Sequence, residues 1–149
     1  MKFVHNISIR VFCKADESEE DIRLGILKII NFSFSELEDQ KLFIEESVVQ
    51  GFDDKIKVFN LFIEKTRHIN RVISNLNEKL SGKDKERLVL QDNRLDDNLN
   101  FFFRLSKPLI LEDSFELTDS GDCYHVRFSV ASFPKNKETA LEKIKLIFS

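Results

Sequence analysis

The sequence predicts an α+β fold in which a largely antiparallel β-sheet carries helices packed on one face. Several segments alternate apolar and polar residues, as strands with one buried face do. Two pairs of such segments are separated by short turns rich in glycine and aspartate, which favours antiparallel hairpins. The pattern leaves little room for the βαβ crossovers of a parallel sheet.

Length and composition fit one folded domain. The chain has 149 residues, of which 42% are hydrophobic and 33% are charged. A chain of this size buries a core without disulfides or a structural metal, so we expect residues 1–149 to form a single domain. Fifteen phenylalanines against one tyrosine and no tryptophan indicate large core side chains without polar groups.

The first third of the chain predicts a strand followed by a helix. Residues 1–14 alternate with a period of two and include many β-branched residues, which predicts the opening strand. The acidic stretch 16–21 then favours a helix N-terminus, and the helix is expected to end near Asn31. Its apolar stripe consists of Ile22, Ile26, Ile29 and Ile30.

The middle third predicts a hairpin and two helices. Residues 41–50 and 55–64 read as two strands joined by a Gly-Phe-Asp-Asp turn. From Thr66 the period changes to 3.6, which predicts a helix ending near Leu80. A second, shorter helix follows, with Ser81 as its N-cap.

The last third predicts another strand, a second hairpin and a closing helix. Residues 98–106 alternate, and Pro108 forbids their extension in a central strand, so a short helix or crossing loop follows. Residues 115–118 and 123–133 flank an Asp-Ser-Gly-Asp turn and are expected to pair as a hairpin. Pro134 suits the first position of the final helix.

The N-terminal sequence favours a cytoplasmic location. It alternates apolar and polar residues and carries a charged residue near its start, whereas a signal peptide contains a continuous apolar stretch. No apolar run has the length that a membrane-spanning helix needs. The two cysteines are expected to be reduced, and no membrane partner is expected.

The sequence lacks the motifs of nucleotide-dependent or metal-dependent enzymes. The four glycines are too far apart in the sequence for a phosphate-binding loop. Acidic residues that are adjacent in sequence direct their side chains in different directions, which argues against paired carboxylates for acid–base chemistry or metal binding. Cys123 and His125 share one strand face, as do His5 and Cys13, but no metal-ligand spacing links them. Zinc binding and a Cys123–His125 nucleophile pair are minor alternatives. We expect no cofactor, no metal and no catalytic activity.

Charge is distributed unevenly along a chain whose net charge is −3. Residues 1–54 hold 6 basic and 12 acidic residues, residues 55–94 hold 10 and 5, and residues 95–149 hold 7 and 9. A basic segment of this kind is typical of a surface that contacts a polyanion. The alternative is that opposite charges pair across the fold.

Two basic surfaces are candidate sites. Strand parity places Arg10, Arg104 and Arg127 on the less apolar strand faces. If these strands are neighbours, the three guanidinium groups converge on an open sheet face, where they suit phosphates and bases. The alternative is a solvated or dimer-forming face with arginine–carboxylate pairs.

The second surface lies on the basic helix after Lys65. Arg67 and Arg71 are one helical turn apart and share a face. This ridge is a candidate polyanion contact, although a solvated helix explains it as well. Interleaved aromatic residues, which strengthen a nucleic-acid interpretation, are missing from it.

Three segments resemble a known protein family over essentially the whole chain. They are HNISIRVF near the start, KIKVFNLFIEKTRHINRVISNL in the middle and YHVRFSVASFPKNKETALEKI at the end. Together they resemble the archaeal family described as RNA-binding proteins or predicted exosome subunits. The resemblance implies an α+β fold similar to the large-subunit ribosomal protein that binds 5S rRNA, and an association with RNA. The matching segments contain Arg10, Arg67, Arg71 and Arg127.

One segment departs from the family pattern. Family members often carry a histidine-containing GYHGN-like turn, where this chain has GFDDK at residues 51–55. The acidic Asp53 and Asp54 argue against an RNA contact at this turn.

These observations favour a non-catalytic RNA-associated protein, an accessory factor of RNA processing or of the exosome. Its expected partners are RNA and exosome or other RNA-processing proteins. The alternative is a protein-interaction or assembly module that forms a homodimer through the sheet face, on which Phe102 and Phe133 stand among polar neighbours. The candidate RNA-binding residues are Arg10, Lys65, Arg67, Arg71, Arg104 and Arg127.

Overall fold

In a computed structural model, the described residues 2–49 and 56–149 form a five-stranded antiparallel sheet with helices on one face. The strands are β1 (Val4–Cys13), β2 (Glu45–Val49), β3 (Ile56–Ile63), β4 (Asn100–Ser106) and β5 (Cys123–Val130). The helices are α1 (Glu19–Ile30), α2 (Phe34–Asp39), α3 (Thr66–Lys79), α4 (Gly82–Leu90), α5 (Lys107–Leu111) and α6 (Lys137–Ile147), with a 3-10 turn at Asp92–Arg94. The predicted fold class is confirmed.

The first strand of the chain is the central strand of the sheet. The order is β2-β3-β1-β5-β4, and every neighbouring pair is antiparallel. Ile7, Ile9 and Val11 are fully buried beneath the helices, whereas Ser8 and Arg10 point to the other side. The alternation seen in the sequence therefore separates a covered face from an open face.

A bulge near the start of β1 corrects one sequence expectation. The register with β5 shifts between Val4 and Asn6, and this extra residue reverses the side-chain parity. Val4 is consequently buried and His5 exposed. The expectation that His5 and Cys13 share a face is wrong for this reason.

Helix α1 packs against the sheet through an unusually close contact. Its predicted isoleucine stripe is buried, and it ends at Asn31 in a left-handed conformation with φ 61°. The Tyr124 hydroxyl of β5 donates a hydrogen bond to the Ile22 carbonyl at 2.9 Å. A Cβ atom added at Gly25 would lie 1.8 Å from that hydroxyl oxygen, so only glycine fits here.

A buried lysine joins the ends of the two central strands. Lys107 is 3% exposed, and its Nζ donates to the Phe12 carbonyl at 2.8 Å. Glu17 and Asp122 each place a carboxylate oxygen 3.1 Å from the same Nζ. The lysine charge is therefore compensated, and the amine links the end of β1 to the start of β5.

The first hairpin is shorter than the sequence predicts, and a helix precedes it. Helix α2 begins with a capping box formed by Ser33 and Glu36, but its six residues are too few to show a periodic pattern. Lys41 has φ 56°, so the chain turns there and β2 begins only at Glu45. The predicted Gly51–Asp54 turn lies outside the described residues.

The predicted second hairpin is wrong. Strand β5 pairs with β1 and β4, and residues 115–118 contribute only an isolated bridge between Leu117 and Leu105. The Leu117 amide donates to a carboxylate oxygen of Asp84 on α4 at 3.1 Å. Because β1 and β4 occupy both edges of β5, residues 115–118 cannot pair with it, and they lie against the outer edge of β4 instead.

The short helices of the second half are placed as expected, except for the last boundary. Ser81 caps α4 by accepting the Asp84 amide, and α5 includes Pro108 in its first turn. Helix α6 begins at Lys137, because the Asn136 side chain caps it by accepting the Thr139 amide at 2.8 Å. Pro134 therefore precedes the helix, and its predicted first helical position is wrong.

None of the helices in the described ranges combines the length and the apolarity that crossing a membrane requires.

We expect Gly25→Ala to lower the free energy of unfolding by about 2–3 kcal/mol, because the added methyl group forces the buried Tyr124 ring away from α1. Chemical denaturation measures this change. Gly82→Ala is the matched control, since no atom lies within 4 Å of a Cβ there, and we expect it to be neutral within about 0.5 kcal/mol. Equal stability of the two variants would contradict the close packing at Gly25.

Candidate functional site

The side of the sheet opposite the helices carries a group of polar, basic and aromatic side chains. We call this surface the open face. Strand register places its members, because directly paired residues point to the same side. Its residues include Asn6, Ser8, Arg10 and Phe12 of β1, Asn60 and Phe62 of β3, His125, Arg127 and Ser129 of β5, and Asn100, Phe102 and Arg104 of β4.

Four strands contribute to a row that has an aromatic residue at each end. Ser8 of β1 pairs with Phe62 of β3 on one side and with Arg127 of β5 on the other. Arg127 in turn pairs with Phe102 of β4. We call this set the aromatic row; its end residues Phe62 and Phe102 are 49% and 45% exposed.

A second row, the basic row, lies two residues further along the strands. Arg10 pairs with Asn60 on one side and with His125 on the other, and His125 pairs with Arg104. Glu45 of β2 pairs with Asn60 and ends the row on that side. Strands β1, β5 and β4, which carry Arg10, Arg127 and Arg104, are therefore adjacent in the sheet. This was the condition for the three guanidinium groups to converge on one face.

The three arginines on the open face hold no ion pair with any described carboxylate. Arg104 Nη1 donates to the Asp119 backbone carbonyl at 3.2 Å. Arg127 Nη2 donates to Asn6 Oδ1 at 3.3 Å, while its buried Nε has no acceptor among the described residues. The Arg10 guanidinium lies 5.1 Å from the centre of the Phe12 ring. All three charges are thus available to an external anion.

A groove of about 450 Å³ runs between these side chains. A second depression of about 310 Å³ shares Phe102 and His125 with it and extends to Arg94 and Arg104. Within the part of the chain that the structure describes, no carboxylate lines the first groove. Its lining residues are Ser8, Arg10, Phe12, Asn60, Phe102, His125, Val126 and Arg127.

His125 is held neutral at the centre of the basic row. Burial lowers the pKa of its imidazole, and the adjacent Arg104 and Arg10 guanidinium groups lower it further. Cys123 Sγ lies 3.5 Å from His125 Nε2, and burial raises the pKa of this thiol. The pair therefore lacks the thiolate that nucleophilic chemistry needs.

The basic helix surface is partly neutralised. Arg71 Nη1 lies 2.7 Å from Glu36 Oε2 of α2, and its guanidinium covers the Phe32 ring at 4.2 Å. The hydrogen bond from Arg71 lowers the pKa of Glu36. Arg67 Nη2 donates to Gln40 Oε1 at 2.9 Å. Of the predicted ridge, Arg71 thus serves packing, while Arg67 and the exposed Lys65 keep uncompensated charge within the described ranges.

The sequence left open the alternative that opposite charges pair across the fold. This alternative holds for part of the basic segment. Besides Arg71, Lys57 binds Glu19 at 2.6 Å and Glu46 at 2.8 Å. It does not hold for the arginines of the open face.

Two features of the site were not found from the sequence. Phe62 alternates with the buried Leu61 and Ile63, so its parity already indicated an exposed aromatic residue on β3. A depression of about 310 Å³ joins the open face to the helix surface, because it is lined by Ser8 and Phe62 as well as by Lys65. This connection depends on the tertiary structure and leaves no signal in the sequence.

Among residues 2–49 and 56–149, no three His, Cys, Asp or Glu side chains are grouped as a metal site would require.

We expect acid to destabilise the protein through His125. Because its folded pKa lies below 6.5, the unfolded chain takes up the proton first, so stability is complete above about pH 6.5 and falls as the pH decreases toward the folded pKa. His125→Gln should reduce the slope of unfolding free energy against pH between about 6.5 and 5. Part of the slope should remain, because burial also lowers the pKa of His68.

Denaturation series across this pH range measure the slope. Asn60→Gln, a change without a titrating group in the same row, is the matched control and should retain the wild-type slope. A His125→Gln protein with the wild-type slope would contradict the assignment.

Comparisons with known proteins identify the family. A family model described as RNA binding matches residues 6–130. The RNA-binding protein PAB1135 of Pyrococcus abyssi is 27% identical over 144 residues, which cover 95% of this chain and 91% of that protein.

Solved structures share the fold over nearly the whole chain. Mth689, a DUF54 protein from Methanothermobacter thermautotrophicus, matches with a TM-score of 0.80 and 25% identity, covering 99% of this chain and 100% of that one. AF2318 from Archaeoglobus fulgidus matches with a TM-score of 0.82 and 19% identity, covering 97% and 99%. The chain therefore belongs to the RNA-binding family, whose model spans the sheet from Asn6 to Val130.

Proposed function

We propose that this protein is a non-catalytic RNA-associated protein that binds RNA phosphates with Arg10, Arg104 and Arg127. The observation that carries the proposal is their position on one open face without a described carboxylate partner. Membership of the RNA-binding family and the name of the P. abyssi relative also support an association with RNA.

The chemistry of the groove suits phosphate recognition. Guanidinium groups present several N–H donors in a planar fork that matches the oxygens of a phosphate. The open face keeps three of them near apolar rings, where water screens a bound anion less than in bulk solvent. The net charge of −3 does not oppose this, because the local field depends on the nearest charges.

The helix surface extends the proposed contact. Lys65 adjoins the open face through the depression that it shares with Ser8 and Phe62, and the carboxylates of Glu45 and Glu64 also line this depression. Arg67 lies beyond it, beside Gln40 and His68. Lys65 and Arg67 are therefore proposed as secondary phosphate contacts, whereas Arg71 is already bound to Glu36.

Neutralising any one arginine of the open face should weaken RNA binding. For Arg10→Gln, Arg104→Gln and Arg127→Gln we expect about threefold to tenfold weaker binding at about 50 mM salt, with a salt slope reduced by about one each. Fluorescence anisotropy with a labelled oligoribonucleotide measures both quantities. Lys145→Gln, an exposed charge on α6, is the matched control and should change neither. Absence of RNA binding by the unaltered protein at this salt concentration would refute the proposal.

The family resemblance supports a finer proposal, that this protein is an accessory factor of RNA processing or of the exosome and shares its fold with the 5S rRNA-binding ribosomal protein. Co-elution with a reconstituted archaeal exosome core in size-exclusion chromatography tests the first part. Separate elution at micromolar concentrations would count against it. Superposition on the ribosomal protein tests the second part.

An assembly role is the second candidate. The specific observation is a short apolar strip beside the β2 edge of the open face, formed by Phe43 and Phe62, which are 71% and 49% exposed and line one depression. Such a strip at a strand edge is typical of a pairing surface. Light scattering distinguishes the two roles, since a strict monomer is incompatible with a homodimer formed there.

A further inference from the structure

We infer that the RNA bound by the open face is single-stranded, with bases stacked on Phe62 and Phe102 and phosphates on Arg10 and Arg104. This inference rests on the proposed RNA contact and names its ligand class.

The two phenylalanines have no packing role that explains their exposure. Phe62 and Phe102 are about half exposed, on a face whose other side chains are mostly polar or charged, with Phe12 and Val58 as apolar members. Their strand neighbours Leu61, Ile63, Phe101 and Phe103 point the other way and fill the core. Exposed rings beside arginines are the combination that binds unpaired bases, because every base has a flat face to stack.

The dimensions of the rows match a short nucleotide track. Phe62 and Phe102 are separated by three strand spacings of about 4.8 Å, or about 14 Å. RNA recognition modules stack two or three bases across a four-stranded sheet of similar width. The basic row lies two residues away along the strands, about 6.6 Å, which places guanidinium groups beside the stacked bases, where the backbone would run.

Polar side chains complete the track between the rings. Ser8 and Arg127 lie between Phe62 and Phe102 in the aromatic row, and Asn60 and His125 lie next to them in the basic row. Their hydroxyl, amide, imidazole and guanidinium groups can bind the hydrogen-bonding edges of unpaired bases.

A duplex does not fit this surface as well. In A-form RNA the bases are stacked on each other and their major-groove edges are out of reach, so exposed rings gain nothing from contact. Only the arginines would contribute. The aromatic row thus favours single strands over duplexes.

A second copy of the chain fits less well still. A symmetric contact between two open faces would bring the arginine cluster of one copy, formed by Arg10, Arg104 and Arg127, close to the same cluster of the other copy. No described carboxylate lines the groove to compensate them, and like charges opposed in an interface are strongly unfavourable. The charge of the open face therefore selects a polyanion.

The test compares one RNA in two forms. A fluorescein-labelled oligoribonucleotide of about 12 residues is titrated alone and after annealing to its complement, at about 50 mM salt. We expect the single strand to bind at least about tenfold tighter. Phe62→Leu and Phe102→Leu should each weaken single-strand binding about threefold to tenfold and leave duplex binding nearly unchanged, because leucine keeps the apolar contact and loses the stacking surface.

Two kinds of control make the result specific. Phe133→Leu removes a ring that is 93% exposed in the loop after β5, outside both rows, and should have no effect. Phe62→Tyr and Phe102→Tyr keep the ring and should retain binding, which separates stacking from any loss of folding in the leucine variants.

The outcomes distinguish this inference from the proposed function. Equal or tighter binding of the duplex, or full binding by both leucine variants, would overturn the single-strand inference and leave the RNA contact standing. Failure of both RNA forms to bind would overturn the RNA contact itself. Leucine variants that dissociate a dimer in light scattering, with RNA binding unchanged, would assign the rings to assembly.

Discussion

The antiparallel pairing of β1 with β3 and β5 is the constraint on which the rest of the structure depends. It buries Ile7, Ile9 and Val11 beneath the helices with no solvent exposure. Because side chains alternate, a slip of one residue would expose these three and bury Ser8 and Arg10. The cost of that slip fixes the register, and the register fixes both rows of the open face. The candidate site is thus positioned by the core on the opposite side of the sheet.

Two buried polar contacts lock this arrangement at one end of the central strands. The Lys107 amine joins Phe12 of β1 to Asp122 before β5, and the Tyr124 hydroxyl holds α1 through Ile22. Buried charges are costly to desolvate, and their benefit is in specifying one pairing over others more than in raw stability. Phe12, whose carbonyl accepts from Lys107, also lines the groove. Phe12 therefore connects these buried polar contacts to the candidate site.

The sequence was most informative where one local pattern decides the outcome. The isoleucine stripe of α1, the Ser81 cap and the faces of Arg10, Arg104 and Arg127 follow from periodicity alone. Periodicity cannot show that β1 and β4 occupy both edges of β5, so residues 115–118 were assigned to a hairpin with β5. Nor can it show that Glu36 reaches Arg71 across two helices, which removes one residue of the predicted ridge. Contacts between distant segments decided these two errors, whereas α2 was missed because its six residues are too few to show a period.

Glu45, the acidic residue at the β2 end of the basic row, makes the distribution of charge on the open face asymmetric. From the β2 edge to the β4 edge, the row presents Glu45, Asn60, Arg10, His125 and Arg104, so its carboxylate is at the β2 edge and its guanidinium groups are nearer the β4 edge. A polyanion bound as proposed would be repelled by Glu45 at the first edge and attracted by Arg104 at the second. The depression that leads toward Lys65 is lined by Glu45 and Glu64 as well, so the β4 side is the more favourable exit for its chain. For the RNA contact proposed above, this order of charges determines which side of the sheet the RNA backbone occupies.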